Sequence, residues 1–369
     1  MSNINISGLI DDAVPFPRGN FVQAVRTSCH DCRERSRILI NEDAIRDFIQ
    51  NIDISHFQKL SKSDGLQMPL KFDTLEQELN IIGLIGLLNF GSGFRKELRE
   101  ECGRGAFNTI RYGVMSIHIT SSPLSAHALR SLSLSEVSSF FQIPLQVEIV
   151  HPTIEAIKVS EPSKSRALVE LITWTLNDTG RILEENGYKN FASFILEAAK
   201  PEKLNEKSKA SRFVEKLVRA FPAFRDITKV DGEPVYIFKK AQLLAANLYR
   251  HFHSNVNSQT TNFDFSDISD LTLCADNVIP TMLNHFNVIN LTSSLKKYFD
   301  DGKEITNIQD ASRLRAAAVD ACEIIVSRAK ELGRNEMNLM DLNEYIWRLG
   351  KEENYRKLER FAFRNTVFF

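Results

Sequence analysis

The sequence lacks long apolar runs, an excess of charge and a secretory leader. A membrane-spanning helix needs about 18 or more mostly apolar residues, and because no such run occurs, no membrane partner is expected. The formal net charge of −1 gives no global basic field for duplex nucleic acid, although a small nucleotide stays allowed. Residues 1–20 have neither the basic start nor the apolar core of a signal peptide. These absences predict a location in the cytoplasm, with the nucleus as a further compartment.

Cysteine is also scarce. The five cysteines form an odd number in a chain without a secretory signal, which indicates reduced thiols. Cys29 and Cys32 flank His30 and Asp31 as in half of a zinc site, but no second Cys or His pair follows at usable spacing. We therefore expect a structural or incidental role for this motif.

Apolar residues at helical spacing dominate the rest of the chain. They include an almost wholly apolar segment over residues 75–90, which ends at Gly91-Ser92-Gly93. The clear β signal is a hairpin near 224–238, where Asp231-Gly232 separates two alternating runs. Because alternating strand–helix units are absent, the predicted fold class is all-α. The predicted helices cover residues 21–35, 41–52, 75–90, 106–119, 133–141, 167–186, 191–199, 210–221, 239–252, 280–289, 293–299, 311–332 and 339–351.

The predicted domain organisation has two parts. Residues 1–74 form an N-terminal helical extension, and residues 75–369 form the main helical domain. Without a low-complexity linker or an internal repeat, both parts are expected to make one compact unit. The apolar residues 366–369 are expected to dock into the core, since an apolar chain end is unusual on a free surface.

Asp276 occupies a junction between an apolar run and a helix that restarts at Pro280. A carboxylate in such a place is an ordinary helix cap, or it is a group that binds a ligand. The spacing alone favours the cap.

Several segments occur in an order and at spacings that resemble one family from about residue 75 to the end of the sequence. They are residues 176–184, 221–226, 236–242, 274–280, and Arg315 followed eight residues on by Glu323. The chain resembles the queuosine salvage family, the queuosine 5′-phosphate N-glycosylases, and the Gly91-Ser92-Gly93 departure after Leu88-Asn89-Phe90 is similar to a fungal branch.

This resemblance implies an all-helical core similar to DNA glycosylases. It also implies hydrolysis of the N-glycosidic bond of queuosine 5′-phosphate, which releases queuine for tRNA modification. The partner would be a small nucleotide, with no metal or other cofactor and no direct binding of tRNA. The family's base-binding Asp falls on Asp276, and Cys274 takes the place of an aromatic residue two positions earlier.

A second cluster of the family contains two Asp residues, the last of them catalytic, around a Tyr and a Trp. Aligned on Trp347, this chain has Asn343 for the first Asp, Glu344 for the Tyr and Arg348 for the catalytic Asp. The catalytic carboxylate is therefore expected to be Glu344 or Asp341, in a reaction that passes through an oxocarbenium-like state.

The same residues also allow plainer structural roles. Glu344 and Arg348 stand at i and i+4, so they could simply pair on a helix. Arg315 and Glu323 are expected to serve an internal salt bridge. Further candidate substrate contacts are Arg348, Lys239 and Arg225 for the 5′-phosphate, and Phe90, Phe94, Tyr345 and Trp347 for stacking on the base.

Two hypotheses of different class follow. The first is an N-glycosylase that uses Asp276 for the base and Glu344 or Asp341 for catalysis, with a changed nucleoside as a weaker variant. The second is a catalytically inactive relative that binds a ligand or a protein of tRNA queuosine metabolism. The sequence does not indicate an oligomeric state.

Overall fold

The structure is a computed structural model that describes residues 14–62, 69–120, 124–151, 153–154, 156–203, 205–253, 260–272, 275–300 and 302–369. The mainly α-helical class predicted from the sequence is confirmed. In chain order, the helices are α1 (Phe21–Arg35), α2 (Glu42–Asn51), α3 (Ile54–Ser61), α4 (Leu75–Leu87), α5 (Arg95–Cys102), α6 (Ala106–Thr120), α7 (Ala126–Ser131), α8 (Leu134–Phe141), α9 (Arg166–Glu185), α10 (Phe191–Ala198), α11 (Ala210–Ala220), α12 (Lys239–His253), α13 (Val278–His285), α14 (Ser293–Asp300), α15 (Ile308–Glu331), α16 (Leu339–Leu349) and α17 (Glu353–Arg356). No helix among these residues is long and apolar enough to cross a membrane.

Short antiparallel strand pairs interrupt the helices. The strands are β1 (Leu39–Ile40), β2 (Gln146–Val150), β3 (Lys158–Pro162), β4 (Ile227–Val230), β5 (Glu233–Tyr236) and β6 (Ile289–Asn290). The predicted hairpin is the pair β4–β5, and its turn residues Asp231 and Gly232 have φ of +52° and +88°. Positive φ at both turn positions matches the twist of the strands. The pairs β1–β6 and β2–β3 were not predicted, so the described residues contain more strand pairs than the one hairpin expected from the sequence.

The contacts within the chain divide it into two units. One contains residues 71–195 and 364–367 of the described chain, and the other contains residues 14–70 and 196–363 with 368–369, apart from the gaps given above. The predicted boundary at residue 74 and the single compact unit stay predictions.

The first unit is built around the apolar helix α4, which is buried along most of its length. Gly83 lets α4 pack closely against α10, because a Cβ at this position would meet Ile195 Cδ1 of α10 at 2.6 Å. After the helix, Gly91 has φ of +95°, a conformation that glycine adopts at little cost. Phe90 lies beside it and is 3% exposed.

The second unit is organised around α15, which packs against α1, α2, α13 and α16. Arg315 is the largest fully buried side chain of this helix, and the ring of Phe369 lies 4.2 Å from its guanidinium carbon. Phe369 is 0% exposed, so the predicted docking of the apolar chain end is confirmed. Buried residues of α15 thus hold both the C-terminal residues and the helices that carry the candidate site.

Candidate functional site

Asp276 lies at the start of α13 in the second unit. Its Oδ1 accepts hydrogen bonds from the backbone N–H groups of Val278 at 2.7 Å and Ile279 at 3.3 Å. These are the unpaired donors of a helix start, and a carboxylate there also complements the helix dipole. The cap expected from the sequence is therefore present, and the half-buried side chain remains next to the surface.

The neighbouring helix α16 carries the second group of candidates. Asn338 caps this helix through the N–H of Asp341. Glu344, Trp347 and Arg348 follow at spacings of three and four residues, which place them on one face. At the end of α16, a Cβ on Gly350 would meet Val278 Cγ1 at 2.5 Å. The absence of a side chain there brings the end of α16 against the start of α13.

Glu344 is held by two arginines. Arg348 Nε donates to Glu344 Oε1 at 2.7 Å, which is the i, i+4 pair considered as the structural role. Arg250 from α12 lies 3.5 Å from Glu344 Oε2 and 3.4 Å from Asp341 Oδ1. The two candidate catalytic carboxylates therefore share one guanidinium. Glu344 is the more enclosed, with a side chain 14% exposed against 31% for Asp341.

Lys351 follows the end of α16 and packs on Trp347 of that helix. Its Nζ lies 2.8 Å from the centroid of the Trp347 ring. Burial of the ammonium lowers the pKa of Lys351 to about 8; the carboxylates of Asp276 and Glu344 oppose this shift, whereas Arg360 and Arg348 add to it. Opposite charges that lie a few ångströms apart attract each other more strongly inside a protein than in water. Because Lys351 is exposed as a residue, solvent screens these interactions.

A buried ion pair supports the segment that carries Asp276. Arg315 donates to both carboxylate oxygens of Asp226, at 2.9 and 2.6 Å, and its Nε donates to the carbonyl of Ala275 at 2.9 Å. The internal salt bridge expected for Arg315 is therefore present, but with Asp226 as the partner. Glu323 pairs with Arg26 instead.

The other site residues predicted from the sequence are spread over several elements. Lys239 is 4% exposed and its backbone N–H donates to Asp226 at 3.4 Å. Arg225 donates to the carbonyls of Val218 and Arg219, which braces the chain before the hairpin. Asn343 is half-buried on α16, Phe90 belongs to the first unit, and Cys274 lies outside the described residues.

Metal ligation has no support in the described part of the chain. No group of three or more His, Cys, Asp or Glu residues there is arranged to hold an ion. Cys29 and Cys32 are buried free thiols, and burial raises the pKa of both.

The sequence reasoning missed Lys351 and Arg250. Lys351 follows Trp347 by four residues and Glu344 by seven, and these helical intervals would have placed it on the same face. Arg250 had no such local signal, because it comes from α12, 94 residues before Glu344.

Comparisons with known proteins place the chain beside one family. The family described as queuosine salvage protein matches residues 135–368 of the chain. Three relatives carry the name queuosine 5′-phosphate N-glycosylase/hydrolase. The mouse protein is 26% identical over 184 residues, covering 48% of this chain and 51% of the relative. The Schizosaccharomyces pombe protein is 24% identical over 176 residues (47% and 46%), and the Sphaerobacter thermophilus protein is 30% identical over 145 residues (39% and 41%).

In each case, the chain spans about half the length of the relative it matches or less. The family match covers more than half of this chain and includes Asp226, Asp276, Arg315 and the whole of α16. The chain therefore belongs to the queuosine salvage protein family.

Proposed function

We propose that the chain hydrolyses the N-glycosidic bond of queuosine 5′-phosphate and releases queuine. The observation that carries this proposal is the close packing of the end of α16, the helix of Glu344 and Trp347, against the start of α13, which Asp276 caps. A glycosidase of this kind needs a group that reads the base, a carboxylate beside the anomeric carbon and a surface against which the base can pack. Each requirement has a candidate in these two segments.

Asp276 is the group proposed to read the base. Because its Oδ1 already accepts two backbone N–H groups, Oδ2 is the oxygen assigned to the guanine-like N–H groups of queuine. The cap fixes the orientation of the carboxylate before the ligand arrives, which reduces the entropy lost on binding.

Glu344 is the carboxylate proposed to face carbon 1 of the ribose. Its negative charge would stabilise the oxocarbenium-like state and accept a proton from the attacking water. Arg348 and Arg250 hold its two oxygens in a fixed direction. The side chain of Arg348 is 35% exposed, whereas Lys239 is buried. Of these two predicted phosphate contacts, Arg348 is therefore better placed to reach the 5′-phosphate.

The test is to incubate the purified protein with queuosine 5′-phosphate and to measure free queuine. Glu344→Gln is expected to lower kcat/KM by about 10²–10⁴-fold, since it removes the charge and the proton acceptor. Asp341→Asn is the matched control on the same helix and is expected to retain most of the activity. Asp276→Asn keeps an oxygen for the helix cap and is expected to lower kcat/KM by about 10–100-fold, through one lost charged hydrogen bond.

The absence of queuine release at high protein concentration would refute the enzymatic proposal. Equal losses in Glu344→Gln and Asp341→Asn would refute the assignment of Glu344.

A second candidate function is ligand binding without catalysis. It is favoured by Arg348 at the position of the family's catalytic Asp and by its ion pair with Glu344. In that case, calorimetry would detect binding of queuosine 5′-phosphate that Asp276→Asn weakens, while no queuine forms.

A further inference from the structure

Gly350 ends α16 at the place where this helix meets the start of α13. Its φ of −63° and ψ of −8° are right-handed helical values, so the backbone conformation does not require glycine. The lack of space does require it. A Cβ would lie 2.5 Å from Val278 Cγ1, and 3.4 Å from both the Ile346 carbonyl oxygen and Met282 Cγ. Non-bonded carbon atoms prefer a separation of about 3.5–4.0 Å, so a methyl group at residue 350 is about 1 Å too large.

Both sides of this contact are held in place. Val278 is 3% exposed in the first turn of α13, and a β-branched side chain in a helix has one strongly preferred rotamer. On the other side, the Gly350 N–H donates to the carbonyl of Ile346 at 2.9 Å, and Arg360 donates to the carbonyl of Gly350 at 2.5 Å. Because a packed interior has little free volume, added bulk at residue 350 is expected to move the two helices apart.

The two helices carry the two proposed substrate contacts. Asp276 Oδ1 accepts a hydrogen bond from the backbone N–H of Val278 at 2.7 Å, so its carboxylate follows a shift of that residue. Glu344 lies six residues before Gly350 on α16, and Arg250 from α12 lies 3.5 Å from its Oε2. The end of α16 therefore cannot follow a displaced α13 without straining that ion pair. The separation of Asp276 and Glu344 thus depends on the contact at Gly350.

The substrate fixes the separation that the protein must match. A nucleobase is a rigid plane, and one covalent bond joins it to carbon 1 of the ribose. When Asp276 holds the edge of the base, the place of carbon 1 is determined, because rotation about the glycosidic bond does not move that atom. The substrate therefore cannot adapt to a changed separation. A misplacement of about 1 Å typically costs about 10²-fold in rate.

We propose that Gly350 is a positioning and specificity-determining residue, an inference that rests on the proposed function. Its missing side chain sets the separation of Asp276 and Glu344 at which a nucleotide held by its base edge presents carbon 1 to the carboxylate. Gly350 acts through these two residues and does not touch the substrate. A substrate without a guanine-like edge is not held by Asp276, so its hydrolysis depends much less on Gly350.

The experiment compares two substrates. Wild type and Gly350→Ala are assayed with queuosine 5′-phosphate and with a ribose 5′-phosphate that carries 4-nitrophenoxide at carbon 1, which has no guanine-like edge. Gly350→Ala is expected to lose about 10²-fold in kcat/KM with queuosine 5′-phosphate but little with the nitrophenyl substrate. Gly105→Ala is the matched control, since a Cβ there has nothing within 4 Å and φ is not positive, and it is expected to match wild type with both.

A second change on α13 tests whether the effect arises at this contact. Val278→Ala removes Cγ1, the atom that a new Cβ at residue 350 would meet. Adding Val278→Ala to Gly350→Ala is therefore expected to restore most of the lost activity, to the level of Val278→Ala alone. Two substitutions that act independently would instead add their losses.

Three results would overturn the assignment of Gly350. They are an unchanged Gly350→Ala with queuosine 5′-phosphate, equal losses with both substrates, and a double variant no faster than Gly350→Ala. If Gly350→Ala does not fold, the double variant is compared with Val278→Ala; equal activities support the assignment, and a further loss with queuosine 5′-phosphate overturns it. If wild type releases no queuine, the proposed function fails and this inference fails with it. If wild type is active, these outcomes test Gly350 alone.

Discussion

The ion pair between Arg315 and Asp226 gives the sharpest test of how the second unit is held together. The Arg315 side chain is 1% exposed and that of Asp226 is 4% exposed. Arg315→Met keeps an unbranched apolar stem in place but leaves three partners unmatched: the Asp226 carboxylate, the Ala275 carbonyl and the Phe369 ring. Removing one member of a buried pair typically costs about 3–5 kcal/mol. We expect a loss in this range in the free energy of unfolding.

The measurement is urea denaturation, because urea does not screen charges as a guanidinium salt does. Arg328→Met is the matched control on the same helix, since the Arg328 side chain is 40% exposed and its ion pairs are with the partly exposed Glu42 and Glu331. Exposed pairs are worth about 0–1 kcal/mol. Adding Asp226→Leu to Arg315→Met is expected to recover part of the loss, because the carboxylate that lost its guanidinium partner is then removed as well.

The reasoning would be refuted if Arg315→Met and Arg328→Met differed by less than about 1 kcal/mol. It would also be refuted if the double variant were less stable than Arg315→Met.

Two further predictions concern stability. Gly91→Ala is expected to lower the melting temperature clearly, because φ is +95° and the new Cβ would lie 2.9 Å from Leu168 Cδ1. Gly103→Ala is its control, with φ of +67° and nothing within 4 Å, and an equal loss in both would contradict the steric argument. Burial and the hydrogen bond to Asp310 raise the pKa of Tyr298 to about 12. The folded state then holds this proton between about pH 10 and 12 and the unfolded state does not, so stability falls in that window. Tyr298→Phe should make the urea midpoint fall less steeply with pH in this window. An unchanged pH dependence would contradict the assignment of the fall to the raised pKa of Tyr298.

Local signals predicted most of the helices. The helix α1 spans Phe21–Arg35 as its periodicity predicted, and α9 ends two residues before Gly187, which has φ of +76°. The hairpin turn at Asp231-Gly232 was equally clear, because its residue types favour positive φ. These features depend on neighbours along the chain.

Pairings between distant segments were not predictable in the same way. The strands β1 and β6 join residues 39–40 to residues 289–290, and neither segment is long enough to show an alternating pattern. The strand β2 alternates between exposed and half-buried residues over only five positions, and β3 is mostly exposed, so this pattern was too short to predict the pair.

In the candidate site too, contacts within one helix were predictable and contacts between separate helices were not. The pair of Glu344 with Arg348 followed from their spacing on one helix, and it is present. The contact of Arg250 with Glu344 and that of Arg315 with Asp226 required the packing of separate helices. The motif residues Arg315 and Asp226 were both noted in the sequence, but nothing in their spacing identified them as partners.

The cap that Asp276 provides for α13 affects how a lineage of this family would lose or keep its activity. A substitution by a residue without a side-chain hydrogen-bond acceptor would remove two hydrogen bonds of a helix start even in a protein that no longer meets a substrate. Losing such a cap typically costs about 1 kcal/mol, enough to lower the amount of folded protein in a cell. Selection for folding alone would therefore preserve Asp276, or another capping residue in its place, after catalysis had ended. Changes at Glu344, whose side chain pairs with Arg348 and Arg250 and not with the start of a helix, would record the loss of activity sooner.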